Sequence, residues 1–536
     1  MKKYLLSIIT LILPVLTFAN QAQGIGIDEK IDQWFGNVTG PFVNAIFYQI
    51  PFSEEVKIYW VLFPLIIGAT YFTIYFKFIN FSGFWKSIKI VRGNYDDLDE
   101  RLDHKVELSP SEVFVDDEGD NPDTIRVEGH EGEVSHFQAL TAALSATVGL
   151  GNIAGVAIAV SIGGAGATFW MIIAGLLGMA SKFVECTLGV KYRDIEEDGT
   201  VYGGPMYYLT KGLKSKGLAG LGKVLAVIFA IFVIGGSFGG GNMFQVNQAA
   251  QLFEHMTGGE ESFIHGYRWV FGVVMAILVG IVIIGGIKSI AKVTDKIVPF
   301  MVVIYVAASI FVLVARYDMI GEAFVQIFDG AFSPEGVLGG AVGVLVQGFR
   351  RAAFSNEAGV GSAAIAHSAV KTKYPASEGL VALLEPFIDT VVVCTMTALV
   401  LIITGNVVAE NATLNDAQAI LLTSGAFESV ISWFPYVLTL AVILFAFSTM
   451  ISWSYYGFQG WAYLFGRSKK MEYTYKIIFC IFVVVGAAAS LGSVIGFSDA
   501  MIFAMMVPNM VGLVILAPKV RDELNKYLKA IKSSKE

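Results

Sequence analysis

Two glycine-rich segments interrupt otherwise apolar stretches of the chain, and their residue types could form a binding site. The first runs from Ala146 to Gly155 and holds three glycines within seven residues, and the second runs from Phe354 to Ala364. Glycines that unwind a membrane helix free backbone amides and carbonyls, which only a ligand, an ion or a cavity can satisfy. Both segments therefore predict a site built partly from backbone atoms.

The two segments also resemble each other. A Gly-x-Gly-[Asn/Ser]-x-Ala pattern begins at Gly149 and again at Gly359. Broken segments at matching places in two halves of a chain indicate a secondary transporter built from an inverted repeat, with its site near the membrane midplane. The alternative is that these glycines only allow helices to pack closely.

Polar side chains stand beside both interruptions. Asn152 lies in the first, and Ser355 and Glu357 lie in the second. A carboxylate at membrane depth is costly unless it is paired or protonated, so Glu357 is a candidate coupling residue. Arg350 or Arg351, one to two helical turns upstream, could instead pair with Glu357 and make it structural.

Other polar residues lie within apolar stretches. Asn242 and Gln245 are three positions apart and share a helix face. Gln245 could accept a hydrogen bond from a substrate ammonium while Phe354 and Trp453 limit the pocket, or the two amides could simply bond between helices. Asp389 is a second candidate coupling residue, because it is a further charge within a span.

Composition sets the class of protein. The 536 residues are 55% hydrophobic and 15% charged, which is typical of a membrane protein. A net charge of -8 offers no basic field for nucleic acid. The cysteines and histidines show no metal-ligand spacing, and the phosphate-binding pattern Gly-x-x-x-x-Gly-Lys-[Ser/Thr] is absent from the sequence. We therefore expect neither an enzyme nor a bound cofactor.

Apolar stretches of about 20 residues, the length that crosses a bilayer, number about eleven. They run over 56–76, 136–162, 165–190, 222–252, 268–287, 297–315, 336–364, 379–404, 434–458, 474–492 and 499–518. Basic residues follow the first, fifth, seventh and ninth of these, and the positive-inside rule places those loops and the C-terminus in the cytoplasm. Lys182 and Glu185 read as an intrahelical pair near the cytoplasmic end of the third stretch.

The N-terminus has the three regions of a signal peptide, and removal of that peptide would leave the new N-terminus outside. An uncleaved anchor is the alternative. The predicted divisions are a signal peptide at 1–22, an extracytoplasmic segment and extra transmembrane helix at 23–80, an acidic cytoplasmic loop at 81–135, a first five-helix repeat at 136–315, a second at 335–518 and a cytoplasmic tail at 519–536. Within the acidic loop, residues 113–127 could form a hairpin.

Several sequence blocks resemble those of the sodium:alanine symporter family, whose members are alanine or glycine:cation symporters. They are Thr147 to Ala157, Gly203 to Tyr208, Phe354 to Ser362, Phe387 to Thr390 and Trp453 to Gly457. The resemblance covers about residues 55 to 520. It departs at Leu150, where many members have threonine, and in the length of the acidic segment. The fold that it implies is an all-α polytopic membrane protein of the leucine-transporter type, with one extra helix before a 5+5 inverted repeat that has two broken core helices.

The resemblance also implies roles for individual residues. The backbone amides of Leu150 and Gly151 would take the substrate carboxylate, and the Asn152 side chain would take a cation. Gln245, Phe354, Ser355 and Trp453 complete the expected substrate contacts. The hydroxyls of Ser448 and Thr449, with the carbonyls of Ser145, Val148 and Phe445, would form a sodium site.

The function so predicted is sodium-driven import of alanine or glycine by a monomer in the cytoplasmic membrane. Proton coupling through Glu357 is the alternative within the transporter class, because a carboxylate at that depth could titrate. A channel is the alternative outside that class, and it has less support because the sequence has no repeated pore-lining pattern.

Overall fold

The structure is a computed structural model that describes residues 27–51, 57–95, 98, 132–332, 340–405 and 419–534. Its α-helices are α1 Ile27–Ile46, α2 Leu62–Tyr75, α3 Ile79–Ser82, α4 Phe84–Val91, α5 His136–Thr147, α6 Ala154–Gly163, α7 Ala167–Lys191, α8 Pro205–Tyr207, α9 Leu213–Ser215, α10 Ala219–Phe238, α11 Phe244–Met256, α12 Arg268–Ile283, α13 Gly286–Ala315, α14 Ile320–Phe332, α15 Gly340–Asn356, α16 Ala363–His367, α17 Pro375–Ala382, α18 Leu384–Pro386, α19 Thr395–Ile403, α20 Ala419–Glu428, α21 Phe434–Phe465, α22 Lys469–Ala488 and α23 Leu491–Ser533.

Shorter elements join these helices. Turns of 3₁₀-helix occupy Leu150–Asn152, Gly259–Glu261 and Tyr317–Met319, and turns of π-helix occupy Tyr208–Gly212, Gly239–Met243 and Phe387–Cys394. Strands β1 (Gln49–Pro51) and β2 (Lys57–Tyr59) form one antiparallel ribbon, and β3 (Asp194–Ile195) and β4 (Val201–Tyr202) form another. The predicted signal peptide at 1–22, the hairpin at 113–127 and most of the acidic segment lie outside the described residues.

The fold is that of an all-α polytopic membrane protein, as the sequence predicts. Within the described residues, seven helices are long and apolar enough to cross a bilayer, or eight if the bent pair α5 and α6 counts as one span. Three shorter apolar helices are α2, α12 and α20. Each of the eleven predicted ranges overlaps a helix.

The residues before α5 contain more helix than predicted. The range 81–135, assigned to a loop, begins with helix α4, where Ser87 Oγ donates to the Leu380 carbonyl at 2.5 Å. Helix α1, in the range assigned to an extracytoplasmic segment, packs against α22 and α23. Neighbouring helices bury an apolar side of each of these two helices. The sequence of a short or acidic segment does not show that such neighbours are present.

The first glycine segment breaks a helix. Ser135 and Gln138 form a capping box at the start of α5, which ends at Val148, and α6 leaves at an angle of 55°. At Gly149 a Cβ atom would lie only 2.6 Å from Thr449 Oγ1 and 3.1 Å from Gln245 Oε1, so a larger residue would displace one or both side chains. The close approach of these side chains favours glycine at the break.

The second glycine segment breaks another helix. Helix α15 ends at Asn356, Glu357 has a left-handed backbone with φ 54°, and the helix resumes at Ala363 in α16. Gly359 (φ 80°) and Gly361 (φ 98°) continue the left-handed turn. A non-glycine residue in this region is strained and persists only where its surroundings fix it, which marks Glu357 as a residue of interest.

Candidate substrate and ion site

The two helix breaks meet at one small cavity. Its lining residues are Ala146, Thr147, Gly151, Gly240, Gln245, Phe354, Glu357, Trp453 and Ile502. The cavity measures about 10 Å³, roughly the space that a single water molecule needs. The structure is therefore a closed conformation, in which an amino acid fits only after the lining side chains separate.

The first break presents backbone amides, and one of them is occupied. The Leu150 amide donates to Gln245 Oε1 at 3.1 Å, while Gln245 Nε2 donates to the Gly240 carbonyl at 2.8 Å. Among the described residues, the Gly151 amide donates to no acceptor. Of the two amides predicted to bind a carboxylate, Gly151 is thus the one available in this conformation.

Gln245 is held in place by a turn of π-helix that sequence reasoning missed. The turn Gly239–Met243 contains the Gly240 carbonyl, to which Gln245 Nε2 donates from the next turn of the helix. Such one-turn π segments often mark functional sites. Asn242 points away from this cavity and donates to the Phe479 carbonyl at 2.8 Å, so it has the interhelical role that was the alternative for this pair.

Glu357 faces the same cavity from the second break. Its carboxylate accepts from Trp453 Nε1 at 3.1 Å and from the Ser362 hydroxyl, and the residue is 3% exposed. The predicted alternative, a pair with Arg350 or Arg351, does not form, because both guanidinium groups bind Asp499 instead. Glu357 therefore has hydrogen-bond donors beside it but no direct cationic partner among the described residues.

Asp389 lies where the two breaks are tied together. Its side chain accepts hydrogen bonds from Asn152 Nδ2 at 2.6 Å, from Ser355 Oγ at 2.8 Å and from Thr390 Oγ1 at 2.7 Å. Asn152 Oδ1 in turn accepts from the Gly149 amide at 2.9 Å. Asp389 is fully buried. A buried carboxylate beside the hydroxyl oxygens of Ser355 and Thr390 is a ligand set that suits a hard cation.

The five residues predicted for a sodium site lie along the contact between α5 and α21. Thr449 Oγ1 donates to the Ser145 carbonyl at 2.9 Å, and Ser448 Oγ donates to the Phe445 carbonyl at 3.0 Å. Ser145 Oγ donates to the Ser448 carbonyl at 2.9 Å, and Val148 is the C-cap of α5. The structure thus brings together hydroxyls and carbonyls that could turn their oxygens toward one cation.

Comparison with known proteins places the chain among transporters. A family profile described as "Sodium:alanine symporter family" matches residues 122–536. The chain is 42% identical over 401 residues to the sodium/alanine symporter AgcS of Methanococcus maripaludis, covering 75% of this chain and 85% of that protein. It is 31% identical over 459 residues to the amino-acid carrier protein AlsT of Bacillus subtilis, covering 85% and 87%.

A solved structure resembles the fold. The crystal structure of MhsT in complex with L-phenylalanine aligns with a TM-score of 0.52 at 15% identity, covering 75% of this chain and all of that one. At this identity the likeness shows the fold alone, which is the leucine-transporter type expected from the sequence.

Proposed function

Because the chain belongs to the sodium:alanine symporter family, we propose that it imports a small neutral amino acid, alanine or glycine, together with sodium. Members of this family are symporters and not enzymes. Cation-coupled amino-acid symport is thus the activity to be explained. The choice of substrate, the coupling ion and the direction of movement are the parts that we propose.

The observation that carries the proposal is the pairing of a backbone donor and a carboxylate in one small cavity. The Gly151 amide suits a substrate carboxylate, because freed N–H groups at a helix break favour an anion. The Glu357 carboxylate suits a substrate ammonium. Together they complement a zwitterion, while Phe354 and Trp453 leave little room for a side chain. Gln245 would bind the substrate or release the Leu150 amide as the cavity opens.

Two cation sites flank that cavity in the proposal. The first uses Ser145, Val148, Phe445, Ser448 and Thr449, and the second uses Asp389 with the neighbouring Asn152 and Ser355. Each set joins a broken helix to another helix, so a bound cation would stabilise the closed conformation. Coupling follows because ion and substrate favour the same arrangement of the shared broken helices during alternating access.

Uptake by purified protein in proteoliposomes tests the proposal. An inward sodium gradient should drive accumulation of labelled alanine, whereas matched potassium should not. A pH gradient without sodium is the third condition, because Glu357 in the cavity keeps proton coupling as the rival. Uptake driven only by the pH gradient would overturn sodium coupling, and transport of neither alanine nor glycine would overturn the proposed substrate.

The hydroxyl pair on α21 gives a sharper prediction. Replacing Ser448 and Thr449 together with alanine should raise the sodium concentration for half-maximal uptake by about tenfold or more, because each lost oxygen ligand costs about 1 kcal/mol. The alanine concentration for half-maximal uptake at saturating sodium should change little. Ser454→Ala is the matched control, since within the described part of the chain that hydroxyl donates only to the Ile451 carbonyl of its own helix, at 2.6 Å. An unaltered sodium dependence of the double variant would contradict the site.

We further propose that the protein is a monomer of the cytoplasmic membrane. The N-terminus would lie outside after signal cleavage and the C-terminus in the cytoplasm, since the basic loops follow that arrangement. In the same proposal residues 136–315 and 335–518 form the two inverted repeats, each of which contains one of the broken helices.

A further inference from the structure

Six ionisable side chains form a line of contacts outside the proposed substrate and cation sites. We call this line the histidine–carboxylate chain; in order, its members are His136, Glu378, His367, Glu385, Lys182 and Glu185. The contact of His367 Nδ1 with Glu378 Oε1 measures 2.5 Å, and that of Lys182 Nζ with Glu385 Oε2 measures 3.0 Å. Five members are fully buried, and only the His136 side chain, at 12% exposure, reaches the surface.

The geometry requires an extra proton within this chain. Both ring nitrogens of His367 face carboxylate oxygens, Nδ1 toward Glu378 and Nε2 toward Glu385. A neutral imidazole has one N–H and one lone pair, so it cannot donate to two ionised carboxylates. Either the ring is an imidazolium or one of the two carboxyl groups holds the proton. In both cases the histidine–carboxylate chain holds one proton more than it would with a neutral His367 and two ionised carboxylates.

The exposed end of the chain is attached to a broken helix. His136 is the first residue of α5, and its Nδ1 contacts Glu378 Oε2 at the start of α17. The other end of α5 holds Ser145 and Val148, beside the glycine break. The His136–Glu378 contact therefore ties the free end of a half-helix to its neighbour, far along the helix from the break.

We propose that the histidine–carboxylate chain is a proton-binding site that latches α5 against α17. With His136 protonated, it donates a charge-assisted hydrogen bond to Glu378, which is about twice as strong as a neutral one. As the pH rises and His136 loses its proton, this assistance disappears and the end of α5 separates from α17 more often. Protons on this face of the membrane would thus oppose the opening of the half-helix.

Other charged groups lie on the described elements that pack against α5. The elements packed on α5 are α4, α13, α16, α17, α18 and α21. They contribute Lys86, Lys89, Lys288, Lys292, Lys296, Asp295, His367, Glu378 and Glu385, together with tyrosines. Lysine and tyrosine side chains in general titrate well above neutral pH, whereas an ordinary histidine changes charge between about pH 5 and pH 8.

Among the described groups just before α5, Glu133 could imitate the response. It precedes α5, accepts from the Val201 amide at 2.8 Å, and lies 4.0 Å from Lys288 Nζ. Burial raises the pKa of the Glu133 carboxyl above its usual value, toward the range in which histidine titrates. A Glu133→Gln variant therefore belongs in the test.

Hydrogen–deuterium exchange of α5 measures the latch directly, on full-length protein without sodium or amino acid. After correction for the intrinsic pH dependence of exchange, amides in the first turns of α5 should exchange about tenfold faster at about pH 8.5 than at about pH 5.5. His136→Gln should exchange fast at both values. His136→Lys, which keeps a positive charge, should remain protected at both.

The controls separate titration of His136 from other effects. His265→Gln removes an exposed histidine whose Nδ1 lies 2.6 Å from Glu254 Oε1, and it should leave the α5 profile as in the parent protein. Glu133→Gln should likewise leave the pH dependence of α5 exchange as in the parent protein. Three results would overturn the proposal. The first is exchange of α5 in the parent protein that, after correction, does not depend on pH. The other two are a pH dependence that persists in His136→Gln and one that disappears in Glu133→Gln. Because no substrate or ion is present, failure of the proposed function would leave these results unaffected.

Discussion

Asp389→Asn is expected to raise the sodium concentration for half-maximal uptake about 30-fold while the protein remains folded. Asparagine keeps the shape and one acceptor for Asn152, and the hydroxyls of Ser355 and Thr390 can rotate to accept from the new amide. The negative charge is lost. A unit charge about 4 Å from a cation contributes about 4 kcal/mol at an effective dielectric of about 20, and losing half of that weakens sodium binding about 30-fold.

The measurement is the sodium dependence of alanine uptake, with size-exclusion chromatography as the test of folding. Asp318→Asn is the matched control, because Asp318 is an exposed carboxylate on the 3₁₀ turn Tyr317–Met319. That variant should behave as the parent protein does. If Asp389→Asn retained the parent's sodium dependence, Asp389 would have a structural role and the second cation site would have to be abandoned.

The parts of the proposed substrate and cation sites that depend on local composition can be predicted from the sequence. Gly359 and Gly361 adopt backbone conformations that favour glycine, and the cluster of glycines around Gly149 marks the first break, so the two breaks can be found without tertiary information. The hydroxyl pair at Ser448 and Thr449 is conspicuous because the surrounding helix is apolar. Asp389 and Glu357 stand out for the same reason, as charges within apolar spans.

Partners distant in sequence could not be predicted in this way. Lys182 has Glu185 one turn away at 3.9 Å, but its shorter contact is with Glu385, 203 positions along the chain. The i,i+3 spacing favours the local pair, and helix packing then supplies a better one. Similarly, Arg351 bonds Asp499 and not the nearer Glu357, because the left-handed turn directs Glu357 toward Trp453.

The histidine–carboxylate chain was missed for a related reason. His367 and Glu378 lie at the ends of spans, where single charges are common and carry no signal of their own. Glu385 lies inside the predicted span 379–404, but the sequence alone does not show which residues it contacts. Their side chains meet only when α16, α17 and α18 pack against α7. An indication was nevertheless present, since Lys182 and Glu185 lie inside a long apolar helix and charges at such depth require partners.

Lys182→Met is expected to give the largest loss of stability in the molecule. Lys182 Nζ is 3.0 Å from Glu385 Oε2 and 3.9 Å from Glu185 Oε1, and all three side chains are fully buried. Methionine replaces the stem but not the charge, and so leaves two carboxylates without their shared cation. Breaking a buried pair by removing one partner costs about 3–5 kcal/mol. The midpoint of heat-induced loss of monodisperse protein in detergent should fall accordingly.

Lys469→Met provides the comparison, because Lys469 is exposed and its Nζ lies 2.8 Å from Glu472 Oε2, one turn away on α22. A local pair of that kind contributes at most about 1 kcal/mol, so this variant should lose little. Equal losses in the two lysine variants would show that burial of the Lys182 pair has no special cost.

Lys182→Met combined with Glu385→Gln distinguishes stability from function as the reason for these charges. If the Glu385 carboxylate, which then keeps only its contact with His367 among the described residues, causes the loss, removing its charge should restore much of the stability. Replacing a whole buried ion pair with uncharged groups is often neutral or stabilising. A double variant as stable as the parent protein but unable to transport would therefore mean that the pair serves the movement of the helices. A double variant no more stable than Lys182→Met would direct attention to Glu185, the other carboxylate that Lys182 neutralises.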